Sequence, residues 1–289
     1  MVDRGSPRFP VPGSVAREVG GVPVRGDETT PTDARARDLT RTAALLAAVI
    51  LQTVAGSIGG SGAWGEPVGS VARSYPTVLL PGGGAFSIWS LVYALGIALA
   101  VRAALPRQRQ RDVHRSVGWW LVAAGGLNAA WVVAFTQRWF VLAQAIIIAL
   151  LVVLCLALVR LTSRPATGWA DRLLLHTPVG VYAGWVTVAT VTGAATTGAA
   201  LGARFSSTVA VALAVPVVLG AAGIAALAAV RLRPAAGFVA AVVWGFAWIA
   251  VATPAWAVAA AAAAGALSVL VAAGWSFRHD VDGARAAWG

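Results

Sequence analysis

The sequence predicts an all-α fold, a polytopic transmembrane helical bundle with about eight spans. Of its 289 residues, 58% are hydrophobic and only 11% are charged, whereas a soluble domain carries about 25% charged residues. A membrane-spanning helix needs roughly 20 consecutive apolar residues, and eight stretches of the chain approach that length. In chain order they cover residues 42–59, 84–104, 117–137, 139–159, 174–196, 206–230, 235–252 and 255–275.

The segments around these stretches define the predicted domain organisation. Residues 1–40 contain several prolines and no apolar run, which is typical of a disordered tail. The first five stretches form a predicted ligand-binding membrane core over residues 41–200, and the last three form an extension over residues 201–276. Thr253-Pro254 separates the last two stretches, because proline interrupts a helix. Residues 277–289 form a second predicted tail.

Arginine is distributed unevenly between the two sides of the predicted bundle. All 22 basic residues are arginine, and alternating loops place 19 on the side of both termini and three, Arg73, Arg138 and Arg204, on the other. Because cytoplasmic loops retain an excess of positive charge, we expect a multi-pass protein of a bacterial-type inner membrane with both termini in the cytoplasm. The net charge of +11 then reflects topology and contact with anionic lipid headgroups, and no nucleic-acid partner is expected.

The composition also argues against several kinds of chemistry. Without lysine the chain has neither a P-loop nor a Schiff-base nucleophile. None of the 11 acidic residues falls within a predicted span, whereas ion-driven pumps keep ionisable groups at membrane depth. His114, His176 and His279 lack metal-ligand spacing. His176 could ligate a haem-like metal, but we expect a solvated histidine at a helix end. No enzyme activity is predicted.

Large aromatic residues, with a few small or polar residues between them, recur at helical spacing on three of the stretches. They are Phe86, Trp89 and Tyr93 on the second, Asn128, Trp131 and Phe135 on the third, and Pro178, Tyr182, Trp185, Ala189 and Thr192 on the fifth. Residues three and four apart share one face of a helix. At about 1.5 Å per residue, Trp89, Asn128 and Trp185 all fall between the membrane midplane and the outer surface.

These stripes have two interpretations. Tryptophan and tyrosine are common in the interfacial belts of membrane proteins, and a buried asparagine often only joins two helices. Alternatively, the rings and hydrogen-bonding groups of three helices line a pocket for a flat apolar ligand with a few polar edges. The glycine- and proline-rich loop of residues 60–83 lies on the same side and could cover such a pocket.

Three motifs resemble those of one family. They are Phe86-x-x-Trp89-x-x-x-Tyr93, Leu127-Asn128-x-x-Trp131-x-x-x-Phe135 and Tyr182-x-x-Trp185-x-x-x-Ala189. Their order, spacing and helix placement over residues 41–200 resemble the tryptophan-rich sensory protein and translocator (peripheral benzodiazepine receptor) family, in a longer variant with a C-terminal extension. The chain departs from the family pattern in the loop segment 78–84, at Val181 and at Thr192.

The resemblance implies a five-helix pocket closed by the first loop. Such a pocket binds porphyrin or haem and other hydrophobic ligands, with no required cofactor, and some members form a homodimer. By this resemblance, together with Phe86 and Thr192 of the same stripes, the predicted ligand-binding residues are Phe86, Trp89, Tyr93, Asn128, Trp131, Tyr182, Trp185 and Thr192.

The sequence therefore predicts an integral membrane receptor or binding protein for a small hydrophobic ligand, tetrapyrrole- or sterol-like, with a sensory or regulatory role. A transporter of a tetrapyrrole or a lipid is the alternative. The number of helices, eight, favours a transporter, whereas the lack of charged residues within the spans argues against one. A membrane enzyme that degrades a bound porphyrin is a third class, supported by no acid–base or metal constellation in the sequence. The expected partners are the ligand, the lipid bilayer and a second copy of the chain.

Overall fold

The computed structural model describes residues 31–63, 65–232 and 235–279. Across these residues the regular secondary structure is helical, without strands, and eight long helices form a bundle. Their bounds are α1 Pro31–Ser61, α2 Ile88–Ala104, α3 Asp112–Thr136, α4 Phe140–Thr162, α5 Thr177–Ala200, α6 Ser207–Arg231, α7 Ala236–Ala252 and α8 Trp256–His279. The predicted all-α membrane bundle is confirmed.

Seven of the eight long helices are long and apolar enough to cross a membrane, when α2 is counted together with the 3-10 turn Gly83–Ser87 that precedes it, as Gly83–Ala104. The remaining one, α7, is an apolar helix of 17 residues without such an addition. At about 1.5 Å per residue it is roughly 25 Å long, slightly shorter than the hydrocarbon core of a bilayer. Pro254 lies in the break between α7 and α8, where the sequence predicts it. The bundle thus contains seven full-length candidate spans and one short apolar helix packed among them.

Helix α1 begins earlier than the sequence predicts. Residues 31–40, part of the predicted disordered tail, are helical, so the tail boundary at residue 40 is wrong. The physical reason is an ion-pair network: Asp38 is only 2% exposed, and its carboxylate accepts hydrogen bonds from Arg41 at 2.7 Å and from Arg115 of α3 at 2.6 Å. These pairs hold a charged segment against the bundle although it lacks an apolar run.

The rest of both predicted tails lies largely beyond what the structure describes. Residues 1–30 and 280–289 are outside the described residues. At the C-terminal side, α8 continues to His279, so residues 277–279 of the second predicted tail are helical.

The two ends of the bundle differ in charge. At the arginine-rich end, which carries the loops 105–111 and 163–171, Asp171 accepts hydrogen bonds from Arg102 at 2.5 Å and from Arg111 at 2.6 Å. The bond to Asp171 raises the pKa of the Arg111 guanidinium above its ordinary value. The opposite end, which we call the arginine-poor end, carries the loops 62–87, 137–139, 201–206 and 253–255.

His176 is fully buried, with 0% exposed, so the expectation of a solvated histidine at a helix end is wrong. The chain forms a wide π-helical turn at Arg172–His176 that continues directly into α5. Because the helix does not begin at His176, its imidazole lies within a continuous helical segment that the bundle covers.

Helix α7 joins the extension to the core. It packs against α5 on one side and α8 on the other, whereas α6 packs mainly against α8. A Cβ atom added to Gly180 of α5 would lie 2.9 Å from the backbone nitrogen of Phe238, and one added to Gly237 would lie 2.7 Å from the carbonyl oxygen of Thr177. Small residues allow such close approach of membrane helices. The extension is therefore a tightly packed part of the bundle.

Candidate functional site

Trp89 of α2 lies at the centre of an aromatic cluster built from three helices. Its ring stacks on Tyr93 with centroids 5.8 Å apart and on Trp131 at 5.5 Å. It also makes edge contacts with Tyr182 at 6.3 Å and Trp185 at 6.1 Å. Each aromatic pair of this kind contributes about 0.5–1.5 kcal/mol beyond its buried area. The three stripes recognised in the sequence thus converge on one ring.

One side of this cluster faces a cavity of about 460 Å³, which we call the aromatic cavity. Four of the eight predicted ligand-binding residues line it, namely Phe86, Trp89, Tyr93 and Trp131. The opposite wall belongs to α1, and part of the first loop closes the cavity; these two elements contribute Gly56, Ser57, Gly60, Pro67, Val68, Gly69 and Arg73. The volume falls within the range of about 300–1,000 Å³ that is usual for small-molecule sites.

The other four predicted residues are buried and do not line the cavity; they are Asn128, Tyr182, Trp185 and Thr192. Asn128, Tyr182 and Trp185 contact the ring wall from behind, whereas no contact joins Thr192 to it among the described residues. The hydroxyl of Tyr182 donates to Oε1 of Gln52 in α1 at 3.2 Å. Thr192 donates to the carbonyl of Ala189 in its own helix at 3.3 Å. Both hydroxyls are therefore used within the bundle.

Two buried donors in the cluster have no acceptor among the described residues. They are Nδ2 of Asn128 and Nε1 of Trp185, although Oδ1 of Asn128 accepts a hydrogen bond from the Tyr93 hydroxyl at 3.4 Å. A buried donor without an acceptor costs about 1–3 kcal/mol. Asn128 contacts Tyr93, and Trp185 contacts Trp89, so both donors belong to residues directly behind the lining of the cavity.

Arg73 supplies the charge of the aromatic cavity. It is the only charged residue among the described residues that line the cavity. Its Nη2 donates to the hydroxyl of Ser70 at 3.1 Å, and no carboxylate of the described chain pairs with it. A guanidinium can bind a carboxylate through two parallel hydrogen bonds. The cavity thus combines a wall of stacked rings with one available cation.

Arg138, the neighbouring arginine at this end, is already paired. Its Nη2 donates to the carboxylate of Glu66 at 2.6 Å, and its Nη1 donates to the hydroxyl of Tyr75 at 3.1 Å. The hydrogen bond to Tyr75, followed by the attraction of Glu66, raises the pKa of the Arg138 guanidinium above its ordinary value. Arg138 therefore ties the first loop to the end of α3 and is not available to a ligand in the way that Arg73 is.

Helix α7 holds the glycine segment that leads into α2. Nε1 of Trp244 donates to the carbonyl of Ala85 at 3.1 Å, and the backbone nitrogen of Gly82 donates to the carbonyl of Trp248 at 3.3 Å. A Cβ atom on Gly82 would lie 2.7 Å from the indole ring of Trp248, and one on Gly84 would overlap the same ring. Gly82 and Gly84 thus form a packing surface for the indole ring of Trp248, whereas Gly83 between them lines the aromatic cavity, as does Phe86 two residues after Gly84.

Several residues that line or support the candidate site escape prediction from the sequence. Gln52 is a polar residue in an apolar stretch, which is the signal that could have found it. Gly56 allows the close packing of α1 against α2, because a Cβ atom there would overlap the ring of Tyr93. Arg73 reaches the cavity because the first loop folds back over it. The contact of Trp248 with the loop is also unexpected, although Trp244 and Trp248 lie four residues apart on α7 and share one face.

The comparisons with known proteins agree with this architecture. Residues 39–275 match the family described as TSPO-like protein, so the match includes the extension as well as the five-helix core. No curated protein and no solved structure matches the chain. Because the family match covers most of the chain and extends from α1 into α8, this membrane protein belongs to the TSPO-like protein family.

Proposed function

We propose that this protein is a membrane receptor or binding protein for a flat hydrophobic ligand with an acidic edge, of the tetrapyrrole class, with a sensory or regulatory role. The observation that carries the proposal is the aromatic cavity, in which Trp89, Tyr93 and Trp131 stack beside the cationic side chain of Arg73.

The chemistry of the lining selects for this ligand class. Stacked rings offer a flat apolar surface, which suits a conjugated macrocycle. Arg73 would pair with a carboxylate at the edge of such a ring, whereas a sterol offers no acid for it. The lining contains no aspartate, glutamate, histidine or cysteine among its described residues. The arrangement supports binding without turnover.

The proposal is tested by titrating the detergent-purified protein with protoporphyrin IX and following tryptophan fluorescence. We expect Trp89→Leu to weaken binding roughly tenfold, since it removes the central ring of the wall. The matched control is Trp275→Leu, because Trp275 is 55% exposed on α8 and lies outside the cavity. Unchanged affinity in Trp89→Leu would contradict the proposed site.

The acidic edge has its own test. We expect Arg73→Gln to weaken protoporphyrin IX roughly fivefold and to leave its dimethyl ester unaffected, because only the free acid pairs with the guanidinium. If the free acid and the ester bind the wild-type protein equally well, the cavity binds a flat ring but does not recognise an acid.

A further inference from the structure

A second, larger cavity lies at the arginine-poor end, between the core and the extension. We call this cavity of about 720 Å³ the lateral groove. Its walls include Val191 and Gly198 of α5, Leu213 and Val217 of α6, and part of the first loop around Val78. The lateral groove shares no lining residue with the aromatic cavity, so binding in the groove is independent of the proposed function.

The groove exists because of how α6 is placed. Helix α6 packs mainly against α8, and α7 occupies the neighbouring face of α5, so α5 and α6 meet at few positions. The α5 side of the gap presents the small residues Ala194, Ala195, Gly198 and Ala199. A Cβ atom on Gly198 would meet nothing within 4 Å. No side chain of the described chain therefore fills the space.

The open side of the groove is apolar and faces outward. Leu213 is 51% exposed, Val217 45% and Phe205 59%, and all three line the groove. Leu213 and Val217 belong to α6, and in a helix that crosses a membrane such exposed apolar side chains face lipid hydrocarbon. The groove is thus accessible to lipid chains from the side.

Arg204 places one positive charge at the edge of this apolar space. It lies in the loop between α5 and α6 and lines the groove. It has neither an ion pair nor a hydrogen-bond partner in the described part of the chain, whereas Arg138 at the same end is paired with Glu66. An arginine at a helix end holds its guanidinium at the level of the lipid headgroups. A ligand that matches both features is an anion with a long apolar chain.

We propose that the lateral groove binds an anionic phospholipid of the surrounding membrane, with one acyl chain between α5 and α6 and the phosphate on Arg204. A second copy of the chain is a poorer fit. Glu66 is the only acidic residue that the structure describes at the arginine-poor end, and it is already paired with Arg138. A second copy would bring no free carboxylate to Arg204, whereas an anionic lipid carries the required charge on a chain that suits the groove.

The test is native mass spectrometry of the full chain in detergent, titrated with phosphatidylglycerol and, separately, with phosphatidylcholine. We expect the wild type to retain phosphatidylglycerol in preference to phosphatidylcholine. Arg204→Gln should reduce phosphatidylglycerol binding about fivefold, since one arginine near a headgroup contributes roughly that factor. The matched control is Arg73→Gln, which removes an exposed charge from the same end but not from the groove, and which should leave phosphatidylglycerol binding unchanged.

A second variant tests the acyl-chain part of the site. Gly198→Leu places a side chain in the groove, where the surrounding space is open, so the helix can accommodate it. We expect it to fold, as judged by an unchanged thermal unfolding midpoint, and to lose at least as much phosphatidylglycerol binding as Arg204→Gln.

Three outcomes would overturn the proposal. The first is equal retention of phosphatidylcholine and phosphatidylglycerol by the wild type. The second is binding of phosphatidylglycerol by Arg204→Gln or by Gly198→Leu at the wild-type level. The third is a dimer without bound lipid that Gly198→Leu dissociates, which would assign the groove to a second copy.

Discussion

The contact between α7 and the first loop predicts that the extension controls access to the aromatic cavity. The perturbation is Trp248→Ala, which removes the indole ring that packs on Gly82 and Gly84. Removing a fully buried tryptophan side chain costs about 3–5 kcal/mol. Trp248 is half-buried, and only part of its contact is with the loop, so we assign about 1–2 kcal/mol to the loop contact. This loss would populate an open loop about 5–30-fold more often.

Limited proteolysis measures this opening without any ligand. Arg73 lies in the same loop, and an arginine-specific protease should cleave after it faster in Trp248→Ala than in the wild type, by a factor in the range of about 5–30. Trp244→Phe should have a smaller effect of about fivefold, because it keeps a ring and removes only the hydrogen bond from Nε1 to Ala85.

The matched control is Trp256→Ala. Trp256 begins α8 at the same end of the bundle, but it is 82% exposed and lines neither cavity. We expect the Trp256→Ala protein to be cleaved after Arg73 at the same rate as the wild type. The reasoning is refuted if Trp248→Ala and Trp256→Ala are cleaved at the same rate.

Three further predictions concern packing, charge and topology. Gly56→Ala should lower the free energy of unfolding by about 1–3 kcal/mol, because its Cβ atom overlaps the Tyr93 ring. Gly60→Ala is the control, since open space surrounds that position, and it should leave the free energy of unfolding unchanged. Thermal unfolding measures both variants. Asp171→Asn should lower the free energy of unfolding by about 3 kcal/mol, because it leaves Arg102 without its buried partner. Asp112→Asn is the control: the side chain of Asp112 is 78% exposed, so this variant should change the free energy of unfolding by less than about 0.5 kcal/mol. Reporter fusions after Gly202 should read external and fusions after Gly289 internal, and an external C-terminus would contradict the proposed topology.

The local features of the fold follow from the sequence because they depend on nearby residues. A stretch such as 139–159 predicts α4 because apolar length alone requires a helix in a bilayer. Phe86, Trp89 and Tyr93 share one face because residues three and four apart do so in any helix, and that face is apolar enough to be buried in the bundle. Convergence of the three stripes on Trp89 also agrees with the family resemblance, since the motifs of α2, α3 and α5 keep the same order and spacing.

The remaining features depend on contacts between distant segments. Asp38 looks like part of a charged tail until Arg115, 77 residues further along the chain, supplies its partner. Trp248 looks like a membrane-facing residue of the extension until the glycine segment at 82–84 packs on it. Trp185 and Asn128 share the predicted depth with Trp89, but ring stacking closes the wall in front of them, which no spacing rule reveals. In each case a neighbour from another element decides the role.

The same arrangement of α7 restricts how two copies of the chain can associate, which bears on the homodimer that the family resemblance implies. The part of α5 around Val188 is buried, and Gly245 of α7 approaches it so closely that its Cβ atom would lie 2.7 Å from the Val188 side chain. A dimer through this part of α5 would have to separate α5 from α7. A homodimer that leaves the bundle intact therefore uses a surface with exposed apolar side chains, such as that of α4, where Val152 is 53% exposed and Val188 of α5 only 2%. With Cys155 replaced by serine, a cysteine introduced at Val188 should give no cross-linked dimer in the membrane. A dimer cross-linked through Val188 would show that α7 leaves α5, and the tight packing of the extension against the core would be wrong.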